Sequence, residues 1–181
     1  MREIKAWLYL TLDGVAEAPE NWVMPDQQMF AEQTADFYAQ SDALLLGRRT
    51  YEIFAASWPE RGSEVDNADW MNNTQKYVVS TTVKSPEWQN TTVIEGDPRE
   101  AITQLKQAAG QNITVNGSAS LVRSLLGWGL LDELRLFLHP VVVKSGSRLF
   151  EDIEDEVTLT LSESHTYDNG VVSLTYEPGA R

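Results

Sequence analysis

Two adjacent arginines follow an apolar run that stops abruptly at a glycine. The segment 44–52 reads LLLGRRTYE, with Arg48 and Arg49 directly after Gly47. A guanidinium offers a planar fork of donors that matches phosphate oxygens, whereas an arginine in the first turn of a helix opposes the helix dipole. A bound phosphate removes that conflict, with Gly47 allowing the turn and Thr50 donating to the anion. The alternative is an ordinary helix start that Thr50 caps, with a solvated basic pair.

A second candidate phosphate site is the turn Asn116, Gly117, Ser118, Ala119 and Ser120. It lies between an apolar strand pattern and a helix pattern. The glycine lets the backbone approach a ligand, and the helix that follows directs free N–H groups and a partial positive charge at the turn. A pyrophosphate fits such a place. The alternative is a simple helix start with the serine as N-cap, and taken alone the residues favour this commoner arrangement.

Two further strand ends carry polar side chains. Ser80 and Thr81 follow the strand pattern KYVV and either bind another phosphate or an adenine edge, or form an ordinary turn. Asp13 and Gly14 follow the first strand pattern, and Asp13 is the best candidate to relay a proton or orient a substrate. Its alternative role is that of a turn former. Donors spread over several strand ends fit an extended nucleotide, and the sequence lacks G-x-G-x-x-G, P-loop and G-x-S-x-G motifs.

Strand and helix patterns alternate along most of the chain. The alternation predicts a mostly parallel sheet covered on both faces, in which ligands lie beyond the carboxyl ends of the strands. The last two strands predict a closing antiparallel hairpin around Asp168 and Asn169. We therefore predict one α/β domain over residues 1–181 with about eight strands. The predicted strands are 4–12, 43–46, 76–80, 91–94, 113–115, 133–143, 157–167 and 170–176, and the predicted helices are 26–40, 50–55, 98–109 and 118–126.

Composition narrows the possible partners. The net charge of −13 argues against nucleic-acid and anionic-membrane partners. The absence of cysteine excludes disulfides and cysteine-ligated zinc, and two histidines leave little for a metal site, so we expect no metal. No apolar run reaches the length of a membrane span. The N-terminus imitates a signal peptide, but its apolar run is short and Asp13 breaks it, so we expect a cytoplasmic protein.

Five motifs together resemble a known family. They are TLDG, LLLGRRTYE, KYVVS, VNGSASLVRSLL and LLDELRLFLHPVVVKSGSRLF, in that order, and they run over nearly the whole chain. This arrangement resembles the dihydrofolate reductase-like superfamily, and the most similar branch is the reductase domain of riboflavin biosynthesis, the RibD C-terminal-like family. The resemblance implies a three-layer fold around a central, mostly parallel, eight-stranded sheet. It also implies an NADPH-dependent reductase.

The resemblance also implies residue roles. Arg48, with Ser80 and Thr81, is expected at the 2′-phosphate that distinguishes NADPH, and Asp13 near the nicotinamide and the substrate. The full expected cofactor set is Gly14, Gly47, Arg48, Arg49, Thr50, Ser80, Thr81, Asn116, Gly117, Ser118, Ala119 and Ser120. The expected substrate residues are Thr11, Trp22, Glu32 and Asp36. Trp22 is either a lid over the site or a loop aromatic packed on the core, and we favour packing.

Departures from the family pattern bear on the substrate. Folate enzymes carry a glycine pair where this chain has Asn116 and Gly117, and one acidic residue on the substrate helix where Asp26, Glu32 and Asp36 compete here. These departures argue against folate. Without cysteine, the chain also lacks the zinc deaminase domain of bifunctional riboflavin enzymes.

Three functions remain open from the sequence. The first is hydride transfer to a small heterocycle, similar to 5-amino-6-(5-phosphoribosylamino)uracil reduction or to dihydrofolate reduction. The second is a catalytically silent nucleotide-binding protein of the same fold, and the third is a structural oligomer whose turns are only caps. An exposed edge of the closing hairpin also predicts a homodimer. His139 is expected to be structural.

Overall fold

The computed structural model of this chain describes residues 1–24, 27–153 and 156–179; within the first long helix, the side chains at 27–30, 32 and 33 lie outside that description. The described residues form eight strands in one sheet, with helices on both faces. The strands are β1 (Ile4–Thr11), β2 (Ser41–Gly47), β3 (Gln75–Val79), β4 (Thr91–Ile94), β5 (Asn112–Asn116), β6 (Glu133–His139), β7 (Leu159–Thr166) and β8 (Val172–Pro178). The helices are α1 (Gln27–Ala39), α2 (Arg48–Ala55), α3 (Ala68–Asn73), α4 (Pro98–Gln107) and α5 (Ala119–Trp128).

The sheet order is β4-β3-β2-β5-β1-β6-β8-β7, so β1 lies between β5 and β6 near the centre. Neighbours from β4 to β6 are parallel, and β8 pairs antiparallel with both β6 and β7. The predicted fold class is therefore confirmed, including the closing hairpin. Because the parallel strands all point the same way, the ends of β1, β2 and β5 meet at one edge of the sheet.

The two faces of the sheet bury different kinds of side chain. Alternate residues of β1 illustrate this, because Leu8 and Leu10 face an aliphatic core that α4 and α5 cover, whereas Trp7 and Tyr9 face the opposite side. That second core is aromatic, and α1, α2 and α3 contribute Tyr38, Tyr51, Met71 and their neighbours. The period of two along the central strand thus places aromatic rings beside the edge where the strand ends meet.

Several predicted element bounds are wrong in detail. The strand predicted over 133–143 ends at His139, because Pro140 has no N–H for the ladder. The segment after Pro140 remains attached through the Leu12 N–H, which donates to the Val141 carbonyl at 2.9 Å. Helix α2 begins at Arg48 rather than at Thr50. The start predicted for α1 at residue 26 lies outside the described residues.

Helix α3 was not predicted, and a buried lysine of β3 attaches its carboxyl end to the sheet. Lys76 on β3 is fully buried, and its ammonium donates to the carbonyls of Met71, Asn72 and Thr74 at 3.0, 3.1 and 2.7 Å. It also lies 4.4 Å from the ring centroid of Trp88. Burial lowers the pKa of Lys76 to about 8. The side chain therefore caps the carboxyl end of α3 and joins it to the sheet.

No helix in the described ranges combines the length and the apolar character that crossing a membrane requires.

Candidate functional site

A cavity of about 540 Å³ lies where the carboxyl ends of β1, β2 and β5 meet. Its walls come from the start of α2, the start of α5, the loop after β1 and the aromatic side of β1. Nine of the predicted cofactor residues line it, which places two separate sequence motifs in one space. These nine are Gly47, Arg48, Arg49, Thr50, Asn116, Gly117, Ser118, Ala119 and Ser120.

The start of α5 differs from the simple capped helix that the sequence alone favours. Ser118 occupies the N-cap position, but within the described residues no side chain caps this helix. Its hydroxyl instead accepts a hydrogen bond from the Gly47 N–H at 3.0 Å. Gly117 has a φ of 67°, a left-handed conformation that suits glycine. The first-turn residues Ala119 and Ser120 line the cavity, so this end of the helix can receive an anion.

The start of α2 has the same character. Gly47 is its N-cap residue, and among the described residues no side chain caps its first turn. The expectation that Thr50 caps the helix is wrong, since Thr50 lies within the first turn and its hydroxyl donates to the Gly117 carbonyl at 3.3 Å. The amino ends of α2 and α5 therefore lie side by side at the cavity, where the Gly47–Ser118 and Thr50–Gly117 hydrogen bonds join them. We refer to residues 47–50 and 118–120 as the two helix starts.

Both predicted arginines are in place, and each has a carboxylate partner. Arg48 pairs with Glu52 one turn along α2 at 2.8 Å, and Arg49 pairs with Glu17 at 2.6 Å. The two guanidinium side chains are 50% and 72% exposed. Exposed ion pairs contribute only about 0–1 kcal/mol. Exchanging Glu52 or Glu17 for a phosphate group therefore costs little.

Two more arginines line the cavity, and no sequence pattern indicated either of them. Arg61 lies 4.3 Å from the ring centroid of Trp58, in a segment without strand or helix pattern. Arg123 on α5 donates to the carbonyls of Arg148 and Leu149 at 2.9 and 3.3 Å. Among the described residues, four of the fourteen basic side chains of the chain thus surround one cavity. Glu17 and Glu20 also line the cavity, so the formal charge of its wall is +2 in a chain of net charge −13.

Glu17 is a site residue that the sequence reading missed. Its carboxylate accepts from the Ser147 N–H at 2.9 Å and from Arg49 at 2.6 Å. The Ser147 bond is the main cause, and Arg49 the second, of a pKa held below the usual range for Glu17. The carboxylate is therefore ionised and repels anions from its side of the cavity. Its partner Arg49 belongs to the first turn of α2, so an anion bound at that arginine has to replace this carboxylate.

Asp13 and Gly14 lie outside the cavity lining. The Asp13 carboxylate accepts from the Thr11 hydroxyl at 2.7 Å and from the N–H groups of Lys144 and Val143 at 3.0 and 3.3 Å. The Thr11 bond is the first cause of the lowered pKa of Asp13. The carboxylate joins the turn after β1 to residues 143–144. Its predicted catalytic role stays a prediction, and these contacts favour the alternative role of turn former.

Ser80 and Thr81 also lie outside the cavity lining. The Ser80 hydroxyl accepts from the N–H groups of Thr82 and Val83 at 3.1 and 3.0 Å, which closes a turn after β3. Thr81 is exposed. Because β3 neighbours β2 in the sheet, this turn lies beside the strand that ends at the cavity. Their role at a 2′-phosphate stays a prediction.

Of the four predicted substrate residues, Thr11 and Trp22 lie beside His139, and Glu32 and Asp36 are on α1. Thr11 is buried, with its hydroxyl bonded to Asp13 and to the Val15 N–H. Asp36 on α1 is exposed, and the side chain of Glu32 lies outside the described part, as does Asp26. Trp22 is half-buried, and its indole N–H donates to the Glu17 carbonyl at 2.9 Å. Its ring makes an edge-on contact with the ring of His139, and the choice between lid and packed aromatic stays a prediction.

Four rings form a continuous aromatic wall beside the cavity: Trp7, Tyr9, His139 and Trp22. Successive centroids lie 5.5, 5.3 and 5.7 Å apart, and each contact is edge-on. Trp7 and Tyr9 line the cavity directly. Burial raises the pKa of Tyr9, so its hydroxyl stays protonated at neutral pH and can donate a hydrogen bond. The alternation of β1 places these rings, but their chemistry was not predicted.

His139 is the unusual member of the aromatic wall. The side chain is fully buried, and neither ring nitrogen has a hydrogen-bond partner within residues 1–24, 27–153 and 156–179. Burial lowers the pKa of His139, so the imidazole is neutral at neutral pH. An unpaired buried polar group costs about 1–3 kcal/mol. The expectation that His139 is purely structural leaves this cost without an explanation.

These features fit a phosphorylated dinucleotide such as NADPH. The two helix starts offer N–H groups to phosphate oxygens, the arginines supply charge, and Trp7 and Tyr9 add aromatic side chains to the lining. In the described part of the chain, no group of three or more histidine or acidic side chains could hold a metal ion.

Known proteins similar to this chain include both relatives and solved structures. The model of the RibD C-terminal domain matches residues 4–173. The uncharacterized protein YyaP of Bacillus subtilis (strain 168) is 31% identical over 181 residues, a match that covers 97% of this chain and 94% of YyaP.

Two solved structures share the fold at low sequence identity. One is named "Putative riboflavin biosynthesis protein", from Shewanella sp. PV-4; it has a TM-score of 0.80 and 18% identity, over 99% of this chain and 100% of that one. The other is a pyrimidine reductase-like protein of Corynebacterium diphtheriae, with a TM-score of 0.69 and 16% identity, over 99% of this chain and 93% of that one. At such identities the likeness concerns the fold alone.

Proposed function

We propose, from the premise that this chain belongs to the RibD C-terminal domain family, that it is an NADPH-dependent reductase of a small heterocyclic substrate. The substrate class is similar to 5-amino-6-(5-phosphoribosylamino)uracil. One observation carries the proposal: two helix amino ends, neither capped by a described side chain, meet at one cavity that four arginines surround. That arrangement in a chain of net charge −13 favours a multiply charged anionic ligand.

The residues of the two helix starts would hold the phosphate groups. The backbone at 117–120 would bind the pyrophosphate, and Gly47 and Thr50 would complete that site. Arg48 would contact the 2′-phosphate, because its side chain is half exposed and its only described ion pair is a surface one with Glu52. The Glu17 carboxylate is paired with Arg49 at the start of α2, so a phosphate at that arginine would have to displace it.

When bound, NADPH supplies a hydride to a carbon of the substrate. The aromatic wall would keep water from that carbon and hold a flat ring in place. The protonated Tyr9 hydroxyl can donate a hydrogen bond to a carbonyl or imine of the substrate. The side chains of Trp7 and Tyr9 thus orient the substrate, and the helix starts orient the cofactor.

A catalytically silent nucleotide-binding protein is the second candidate. One observation favours it: the Asp13 carboxylate is bonded to Thr11, Val143 and Lys144, away from the cavity lining. NADPH binding without NADPH consumption, when 5-amino-6-(5-phosphoribosylamino)uracil and a panel of pterins are offered, would support this candidate. NADPH consumption coupled to reduction of the pyrimidine would support the reductase.

The cofactor assignment is tested by changing Arg48 to Ala. We expect about a tenfold or larger loss of NADPH affinity, because a charged hydrogen bond to the 2′-phosphate is lost. NADH lacks that phosphate, so its affinity should change about twofold or less. Fluorescence quenching of the tryptophans during titration with each cofactor measures both.

The matched control for Arg48→Ala is Arg99→Ala, since Arg99 is an exposed arginine in the first turn of α4, away from the cavity. It should leave the affinity for both cofactors unchanged. Equal losses of NADPH and NADH affinity in Arg48→Ala would remove the 2′-phosphate role.

We also propose that the protein forms a homodimer. Strand β7 is an edge of the sheet, and its Leu161 is 49% exposed. An exposed edge strand can pair with a second copy across a two-fold axis. Light scattering should give twice the chain mass of 20.3 kDa, and a monomer mass would contradict this.

A further inference from the structure

His139 lies at the end of β6, directly beside the end of β1. Its register partner across the strand pair is Thr11. The Thr11 hydroxyl is not available to it, because that hydroxyl donates to Asp13 at 2.7 Å and accepts from the Val15 N–H at 2.9 Å. The hydroxyl of the register partner is thus bonded within the turn after β1, and the described ring contacts of the imidazole are with Tyr9 and Trp22.

Trp22 covers the other side of the imidazole without bonding to it. The two ring centroids lie 5.7 Å apart at an angle of 72°, and the indole N–H donates to the Glu17 carbonyl. Trp22 ends a single 3-10 turn, Pro19–Asn21, whose N-cap residue Ala18 has a left-handed φ of 50°. This three-residue turn buries no side chain of its own, so we expect the segment that places Trp22 over His139 to move easily.

The imidazole is close to the cavity of the proposed reductase site. Tyr9 lines that cavity and makes an edge-on contact with His139 at 5.3 Å. Residues 18–20, the segment that leads to Trp22, line the same cavity. The Tyr9 ring and the segment that leads to Trp22 therefore connect His139 with the lining of the space that the cofactor would occupy.

We propose that His139 is a substrate-binding residue: when Trp22 moves aside, the imidazole hydrogen-bonds to an uncharged heterocycle stacked in its place. A neutral imidazole presents one donor and one acceptor. Its described ring contacts are Tyr9 and Trp22, which carry no charge, so a charged ligand group would find no counter-ion there. Because the two ring nitrogens point in different directions, one of them can bond to an N–H or a C=O group on the edge of a pyrimidine or pterin. The proposal rests on the proposed function for the hydride donor, but the binding step needs no cofactor.

The direct test is a nuclear magnetic resonance titration of the cofactor-free protein with 5-aminouracil, a small uncharged pyrimidine. The chain has two histidines, so the exposed His165 in the closing hairpin is an internal reference. We expect the imidazole signals of His139 to shift in a saturable manner while those of His165 stay constant. Constant His139 signals, or equal shifts of both histidines, would overturn the proposal.

Variants separate recognition from a structural role. His139→Phe keeps an aromatic ring in the wall but removes both nitrogens, so it should lower 5-aminouracil affinity about tenfold. The thermal midpoint should stay unchanged or rise, because no paired polar group is lost. His139→Gln retains a donor and an acceptor and should keep most of the affinity. Trp22→Ala should raise the affinity by removing the competing ring. Wild-type affinity in His139→Phe would overturn the proposal, and so would an equal loss in His139→Gln.

The two proposals can fail separately. Saturable 5-aminouracil binding at His139 with no heat from NADPH would end the reductase proposal and support this one. NADPH binding with the expected Arg48 effect, but no response of His139 to the pyrimidine, would end this one and leave the cofactor site intact.

Discussion

The start of α4 and the starts of α2 and α5 follow strands of the same sheet but are built differently. At α4, the Asp97 carboxylate accepts from the N–H groups of Arg99 and Glu100 at 2.8 and 3.1 Å. Pro98 occupies a position that needs no N–H, and the acidic Glu100 complements the helix dipole. This start is completed by its own sequence.

The starts of α2 and α5 lack all these features within the described residues. A glycine precedes α2, Ser118 is bonded to Gly47 instead of to its own helix, and neither first turn contains an acidic residue. Two arginines occupy the first turn of α2, where the dipole disfavours them. The chain thus caps α4, which lies away from the cavity, and leaves α2 and α5 open beside it. Helix α3 also lacks a described side-chain cap, but it carries the acidic Asp69 in its first turn. The first-turn N–H groups of α2 and α5 therefore lack a described side-chain acceptor, and a bound anion can be that acceptor.

The largest expected effect comes from placing a negative charge at one of the open starts. Ser120→Asp adds a carboxylate to the first turn of α5, where it complements the dipole and should raise the free energy of unfolding by about 0.3–1 kcal/mol. The same carboxylate repels a pyrophosphate, so NADPH affinity should fall roughly 10- to 100-fold. Chemical denaturation and calorimetry measure the two changes, which have opposite signs only if the start binds an anion.

The control for Ser120→Asp is Glu100→Gln, which removes a negative charge from the first turn of α4. It should lower stability by a few tenths of a kcal/mol, on the order of one dipole interaction, and leave NADPH affinity unchanged. If Ser120→Asp stabilised the protein and bound NADPH as well as the wild type, α5 would be an ordinary helix start.

A smaller effect is expected at the capped start. Asp97→Ala removes the acceptor of two N–H groups and should lower the free energy of unfolding by about 1 kcal/mol. Since α4 lies away from the cavity, NADPH affinity should stay within about twofold of the wild type. A loss of affinity comparable to that of Ser120→Asp would mean that general destabilisation, and not the charge at the site, controls binding.

Most of the fold could be predicted from the sequence, and the exceptions have local causes. Runs of strand-forming residues predicted all eight strands, and the resemblance to the RibD C-terminal family is confirmed. Helix α3 was not predicted because six residues are too few to display a helical period. The burial of Lys76 was not predicted either, because its partners are backbone carbonyls that reach the ammonium group only in the folded chain. The end of β6 was predicted too late although Pro140 marks it.

The candidate site was predictable where it consists of backbone and turn residues, and unpredictable where it depends on long-range contacts. The glycines, arginines and small polar residues at the ends of β2 and β5 were brought into one cavity as expected. Glu17 and Arg123 reach the cavity through partners more than 20 positions away, which no local pattern reveals. From the sequence, His139 is an ordinary strand residue. The structure pairs it in register with Thr11 and shows that neither ring nitrogen has a hydrogen-bond partner among the described residues.

Calorimetric titration of the unmodified protein with NADPH at low ionic strength tests the central claim, that the open starts of α2 and α5 form a phosphate site. If the two open starts bind phosphate, NADPH should give saturable heat with one site per chain. The affinity should weaken as salt is added, because the site is partly exposed. Absence of heat at about millimolar NADPH, a concentration at which even an affinity of −4 kcal/mol would register, would contradict it.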